Sequence, residues 1–290
     1  MKLIKKFKPV YEALKRRGML SSIRNSKTFY GNEFKKKHVN LEYWKFKKNL
    51  GDAISPVVVE YMLGRKGLSL DTKTKKTYHL FAIGSIIGSY DFDAVIWGSG
   101  IHNKTLMDAI SNHKSYVKYD VRLVRGPRTR QILVDNGYKV EEKYGDPALI
   151  MPLIYKSEAV KKYDISVVLH MNTLDLVDVP ENVHKINIET DDYKFFIDEL
   201  VSSKKIITSS LHGIILAESY GVPPVFLSTG MDDELMKFYD YYESTNRSKF
   251  VIAKSIEEAI KVEPTPLADL SKLQDNVIET FPYDLWLGEK

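Results

Sequence analysis

Three hydroxyl side chains, Thr208, Ser209 and Ser210, stand just ahead of His212 and Gly213 in the stretch from Ile206 to Pro224. Ile206 and Ile207 close an apolar strand before them, and Ile214 to Ser219 start a helix after them. Gly221 ends that helix, with Pro223 beyond it as a stop. A strand, a polar turn and a helix N-terminus bring free backbone N–H groups and the positive end of a helix dipole to one point. That point suits a phosphate or a carboxylate. His212 adds a side chain that titrates near neutrality. Two readings follow from the residues: an anion cradle with an acid/base histidine, or a histidine that caps a turn.

Other candidates are spread along the chain. Asn49-Leu50-Gly51-Asp52 reads as a turn before a helix, where Gly51 lets backbone approach a ligand and Asp52 is a helix cap or a base. Gly98-Ser99-Gly100 follows a strand and holds either a phosphate or a tight turn. Four arginines, Arg122, Arg125, Arg128 and Arg130, crowd the stretch from Val121 to Gln131. Guanidinium forks suit carboxylates and phosphates, and Arg125 lies nearest the strand end and helix start. Asp146-Pro147 reads as a turn. No pair of histidines has a metal-ligand spacing, and Asp91-Phe92-Asp93 precedes its strand instead of ending one.

Alternating strands and helices must position these groups, which argues for α/β with parallel sheets. The expected helices are Ala53 to Leu63 with Pro56 in its first turn, Gly126 to Asn136, Asp192 to Ser202, and Ser255 to Lys261. The expected strands are His79 to Ile83, Asp93 to Trp97, Lys118 to Val124, Asp164 to Leu169, Val183 to Ile188, Lys205 to Thr208 and Val222 to Leu227. Phe238 to Tyr242 is expected to add aromatic surface, and Leu267 to Leu287 a helical tail. The pattern restarts midway. The expected division is an N-terminal α/β domain over residues 1–152, a C-terminal one over 153–266, and a tail over 267–290 crossing back onto the first. Turns at Gly51, Gly98, Arg125 and His212 all fall at strand ends or helix starts, so a cleft between the halves is the expected site.

The absence of cysteine excludes disulfides and thiolate chemistry. No apolar run reaches the ~20 residues of a bilayer span, and the N-terminus lacks a signal-peptide core, so a cytoplasmic protein is expected. Charge is uneven: basic residues crowd from Lys2 to Lys37, opposed only by Glu12 and Glu33. Leu3, Phe7, Val10 and Leu14 recur among them at helical spacing, which suits contact with anionic membrane or a docked helix with a basic face. The aromatic–basic interleaving of a nucleic-acid groove is missing.

Five motifs come in one order. They are Asn49-Leu50-Gly51-Asp52, the strand and glycine turn from Asp93 to Gly100, Val124-Arg125-Gly126-Pro127-Arg128-Thr129, Gly145-Asp146-Pro147-Ala148-Leu149, and Ser209-Ser210-Leu211-His212-Gly213 running through Gly221-Val222-Pro223. This series, over roughly residues 45–228, resembles the polysaccharide pyruvyl transferase family. The resemblance implies two Rossmann-like domains facing a cleft, as in GT-B-type glycosyltransferases. It implies transfer of a pyruvyl group from phosphoenolpyruvate to a sugar as a ketal, in the making of cell-surface polysaccharide such as exopolysaccharide or capsule. That chemistry requires neither metal nor cofactor. The family's arginine falls on Arg125 and its histidine on His212. On this reading Arg125, Ser209, Ser210 and the backbone at Gly213 hold the donor, and His212 protonates the enol methylene. Asp52 orients or deprotonates the acceptor hydroxyl, and Asn49, Gly51, Gly98, Ser99 and Gly100 line the acceptor side or cleft. Many members carry Arg-Leu-His where this chain has Ser210-Leu211-His212, a departure that removes one donor cation. Two rivals stand beside this reading: a nucleotide-sugar glycosyltransferase on the same fold, and a non-catalytic glycan-assembly protein.

Overall fold

The computed structural model describes residues 34–230 and 235–288. The basic stretch with Leu3, Phe7, Val10 and Leu14 lies outside the described residues. Two all-parallel sheets make the frame, as the alternation predicts. The first contains β1 (Val39–Glu42), β2 (Tyr78–Phe81), β3 (Ala94–Trp97) and β4 (Tyr119–Leu123), in the order β1-β2-β3-β4. The second contains β5 (Tyr163–Val168), β6 (His184–Lys185), β7 (Ser203–Thr208), β8 (Pro224–Leu227) and β9 (Ile252–Ala253), in the order β6-β5-β7-β8-β9. The central strands are covered on both faces, so β3 and β8 are buried at every residue.

Helix α1 (Leu50–Gly64) begins three residues earlier than its sequence suggests. Leu50, Ile54, Val58 and Met62 recur every four residues, and all are fully buried. That stripe draws Asn49-Leu50-Gly51-Asp52 into the helix start, so the expected turn is the N-cap and first turn of α1. Pro56 consequently sits in the second turn, where its missing N–H leaves one carbonyl without an intrahelical partner. Helix α2 (Lys104–His113), unpredicted, is capped by Asn103, which accepts from the Leu106 N–H at 3.0 Å. Strand β1 was also hidden, because its buried face carries polar residues. Glu42 there meets His79 at 2.8 Å, and the Asn40 amide donates to the Tyr78 carbonyl at 3.2 Å.

Helix α3 (Pro127–Asp135) lies within the expected Gly126 to Asn136, with Gly126 as its N-cap and Pro127 in its first turn. A single 3-10 turn (Pro147–Ile150) leads into the short α4 (Met151–Ile154). Helix α5 (Tyr193–Val201) is capped by Asp192. Helix α6 (Leu211–Ser219) starts ahead of the expected position, with Ser210 at its N-cap, so His212 lies inside the first helical turn. Ile214, Ile215, Leu216 and Ala217 are all fully buried, as in a helix at the centre of a core. Helix α7 (Leu235–Ser244) corrects the expected aromatic surface: Phe238, Tyr241 and Tyr242 are buried. Helix α8 (Ile256–Lys261) follows Ser255. The tail is two helices, α9 (Ser271–Glu279) and α10 (Asp284–Leu287), because Pro282 between them cannot continue the first.

One apolar cluster runs through both halves, joining Leu50, Trp97, Ile214, Tyr241 and Trp286, while a separate cluster covers the outer face of each sheet. The tail reaches the first sheet through the Trp97 indole N–H, which donates to the Val277 carbonyl at 3.0 Å. Gln274 and Asn276 donate to the carbonyls of Leu149 and Tyr144, each at 3.0 Å.

A buried ion pair joins the start of α3 to α7. Arg125 is 1 % exposed and Asp240 is fully buried. The Arg125 Nε–H donates to Asp240 at 3.1 Å, its Nη1 to the Ser85 hydroxyl at 2.6 Å, and its Nη2 to the Ile101 carbonyl at 2.8 Å. Asp240 also accepts from the Thr129 N–H at 2.9 Å and the Thr129 hydroxyl at 2.7 Å. Removing one member of such a pair strands the other in the core, at a cost of roughly 3–5 kcal/mol. Asp240→Ala is therefore expected to lower the urea midpoint by that equivalent. A loss of less than about 1 kcal/mol would show the pair to be dispensable.

Candidate functional site

The second sheet has a topological switch point. Strands β5 and β7 are neighbours, but the chain leaves β5 toward one edge and β7 toward the other. Their following loops therefore diverge and leave a crevice at the carboxyl ends, where open α/β sheets bind ligands. The loop after β5 carries His170, and the turn after β7 carries Ser209 and Ser210, with His212 next in the first turn of α6. Ser209 fixes the two loops together. Its hydroxyl accepts from the His170 N–H at 2.9 Å and hydrogen-bonds the Thr173 hydroxyl at 2.9 Å.

The first turn of α1 closes the crevice from the other half. The Leu50 N–H donates to the Ile188 carbonyl at 2.9 Å, which pins α1 to the second half. Gly51 then lies flat against the His212 ring, where a Cβ would collide with Nδ1. A Cβ at 51 would displace the His212 ring or part the two helix N-termini. The resulting cavity holds about 330 Å³ and is lined by Asn49, Asp52, Ser85, Ser210 and His212, with His102, His170 and Lys237 beside them. A larger groove, about 1360 Å³, lies at the opposite ends of the first-sheet strands, beside Tyr78, Ala94 and Tyr119. Amino ends of parallel strands are not where this architecture places ligands.

Burial sets the charge states in the cavity. The Asp52 carboxyl is pushed up from 3.8 to about 6 by desolvation, partly offset by the Asn49 amide, which donates to Oδ2 at 2.5 Å. His212 is pushed down to about 3, first by desolvation and then by the charges of Arg125 and Lys237. Its ring is therefore neutral at pH 7. Asp146 is pushed up to about 6 by complete burial, though Arg125 draws it down. Asp146 Oδ1 caps the 3-10 turn by accepting from the Ala148 N–H at 3.0 Å. Its Oδ2 faces His212 Nε2 across 3.8 Å, and neither atom has a hydrogen-bond partner among the described residues. With the ring neutral and the gap too long for a hydrogen bond, this is a polar contact and not an ion pair.

The structure brings Asn49, Gly51, Asp52, Ser210 and His212 together. The other sequence candidates lie behind the wall. Arg125 touches the cavity only through Ser85. Gly98 adopts a φ of 89° and abuts Pro147, while Gly100 abuts the Arg125 guanidinium. Both positions are closed to a Cβ. Ser99 is fully buried and donates to the Gly84 carbonyl at 2.7 Å. Gly213 packs on Thr208 and donates to the Ser210 hydroxyl over a long 3.4 Å. The sequence reading missed His102, His170 and Lys237. No motif marks them, since they converge only through the sheet order and the path of α7. Among the described residues no group of three or more His, Cys, Asp or Glu could hold a metal ion.

The Asp52 shift carries a pH prediction. Its folded value of about 6 exceeds 3.8, so between those values the native state holds a proton that the unfolded chain has lost. This contribution is complete below about pH 4 and is lost as pH rises through 6. Asp52→Asn is uncharged throughout. Relative to wild type, it is expected to gain roughly 3 kcal/mol between pH 4 and pH 7 in urea unfolding. A difference that stays flat across that range would mean the carboxyl is not perturbed.

The chain is similar to an uncharacterized protein of Acanthamoeba polyphaga mimivirus, 27 % identical over 224 residues that span 72 % of this chain and 75 % of the relative. It is also similar to the crystal structure of a functionally uncharacterized protein from Klebsiella pneumoniae subsp. pneumoniae. That match is 19 % identical, has a TM-score of 0.48, and covers 76 % of this chain and 94 % of the other. The sequence model of polysaccharide pyruvyl transferases matches residues 23–230, a span that takes in α1, both sheets as far as β8, and every cavity residue named above except Lys237. With most of its length so matched, the chain belongs to the polysaccharide pyruvyl transferase family.

Proposed function

We propose that this protein transfers a pyruvyl group from phosphoenolpyruvate to a sugar, forming a ketal, in the cavity between α1 and α6. The observation that carries the reading is a carboxyl near pKa 6 and a neutral imidazole lining one small cavity at the sheet's switch point. About 330 Å³ lies at the lower end of ligand pockets, which suits a three-carbon phosphate with the reacting edge of a sugar better than a whole nucleotide sugar. The second-sheet half takes the donor and the first-sheet half presents the acceptor, in a GT-B-like division at the cleft.

The chemistry needs an acid for the enol methylene and a base for the attacking hydroxyl. The pKa directions favour an exchange of the roles expected from sequence. Asp52 keeps its proton to higher pH than an ordinary carboxylate, and an anionic donor beside it raises that pH further. Asp52 gives its proton to the methylene carbon, which becomes the methyl group. A sugar hydroxyl adds to the adjacent carbon and passes its proton to the neutral His212 ring. The second hydroxyl then displaces phosphate, which departs with that hydroxyl's proton. His212 returns its proton to Asp52 through solvent, so one diol and one phosphoenolpyruvate give one ketal and one phosphate.

The test is phosphate release from phosphoenolpyruvate with a panel of sugar acceptors, run beside consumption of nucleotide sugars. Asp52→Asn and His212→Ala are each expected to lower turnover by ~10²-fold or more with the fold retained. Turnover of a nucleotide sugar, with none of phosphoenolpyruvate, would favour the glycosyltransferase reading. Near-normal turnover by both variants would remove this mechanism.

We also infer work at the cytoplasmic face of a membrane on a lipid-carried sugar. Among the described residues no helix is long and apolar enough to cross a bilayer. The charges from Lys2 to Lys37 supply an alternative attachment, each basic residue near an anionic surface contributing about 1 kcal/mol. The full chain is expected to co-sediment with anionic vesicles at low salt and to lose this when its first ~20 residues are removed. Equal sedimentation of both chains would exclude an N-terminal attachment.

A further inference from the structure

We infer that Lys237 is the cation that binds the donor's anionic groups, a role that rests on the pyruvyl-transfer reading of the cavity. A donor carrying a carboxylate and a phosphate brings about three negative charges, which must be matched when water is displaced. Among the described residues lining the cavity, Lys237 is the one lysine or arginine. It is 7 % exposed, so the residue is buried in the wall of the cavity. Its charge reaches the site, since it is among the causes that hold the His212 ring neutral.

Arg125 does not fill this role in the structure. Its Nε, Nη1 and Nη2 donate to Asp240, Ser85 and the Ile101 carbonyl, and the side chain is 1 % exposed. To reach a ligand it would have to abandon a buried carboxylate. Ser210 cannot supply charge, and its hydroxyl serves the α6 N-cap. The cation therefore arrives on another element.

The fold explains how it gets there. On α7, Lys237, Asp240 and Tyr241 are spaced i, i+3 and i+4, so they share one face. Asp240 is held by Arg125 and Thr129, and the Tyr241 hydroxyl donates to Glu218 on α6 at 2.6 Å. Glu218 is gripped in turn by both Nη atoms of Arg247, at 2.6 and 2.7 Å. These contacts fix the rotation of α7 about its axis. They turn the face one turn upstream, with Lys237, toward α6 and the cavity.

The experiment titrates the full chain with phosphoenolpyruvate and, separately, with inorganic phosphate by calorimetry, using wild type, Lys237→Met and Lys237→Arg. Unfolding midpoints confirm that each variant is folded. Lys237→Met is expected to weaken both ligands at least tenfold, and Lys237→Arg to recover most of that loss. Binding by wild type should also weaken with added salt, more steeply than any residual binding by Lys237→Met. If phosphoenolpyruvate binds wild type and Lys237→Met equally, this inference is overturned while the proposed donor stands. If phosphate binding depends on Lys237 but phosphoenolpyruvate does not bind at all, the cation is correct and the donor is wrong. If wild type binds neither anion, both fall. Should Lys237→Met fail to fold, Lys237→Gln replaces it, with the same outcomes.

Discussion

The ion pair between Arg125 and Asp240 holds the two halves of the site in register. Asp240 accepts from the Arg125 guanidinium and from two Thr129 donors, so α7 is tied to the start of α3 through a fully buried carboxylate. The same guanidinium reaches Ser85 and the Ile101 carbonyl, which places the loops that follow β2 and β3. A charge pair this deep adds little net stability over an apolar substitute, because both ions lose their hydration. Its value lies in geometry. A slipped α7 would leave two uncompensated charges in the core, so one helix position is strongly preferred.

A second constraint acts at Gly51. Two helix N-termini repel through their dipoles and through side-chain bulk, yet here α1 and α6 meet with the His212 ring against bare backbone. That approach removes water from the ring, and water removal is the first cause of its lowered pKa. The same exclusion raises Asp52 at the neighbouring turn. One packing contact therefore moves an acid and a base in opposite directions, the condition under which two titratable groups can divide proton-transfer work.

The parts legible in the sequence were those written in local pattern. Pro127 at the start of α3, the helices expected from Asp192 and from Ser255, and the apolar strands all express short-range physics. The start of α1 was misplaced because Asn49-Leu50-Gly51-Asp52 read as a turn and Pro56 as a first-turn residue, whereas the Leu50-Ile54-Val58-Met62 stripe draws that turn into the helix by burying against the core. Strand β1 stayed hidden because Asn40 and Glu42 look solvent-facing until their partners across the sheet are known. Within the site, the turn around His212 was visible and Lys237 was not. A lysine in an aromatic-rich stretch carries no signal of its own, and its direction depends on Asp240 three residues later.

The absence of arginine beside Leu211-His212 fits this arrangement. Ser210 is an N-cap with 3 % exposure, tucked between Thr208 and the first turn of α6. A long cationic side chain at that position would face His212, whose ring is already disfavoured from protonation by Arg125 and Lys237. A third cation would depress it further. Carrying the charge on α7 instead keeps the N-cap hydroxyl at α6 and leaves a single lysine among the cavity's described lining. In the proposed reaction, anion binding and protonation of Asp52 are then coupled: the entering charge raises the carboxyl's proton affinity at the moment a proton is needed.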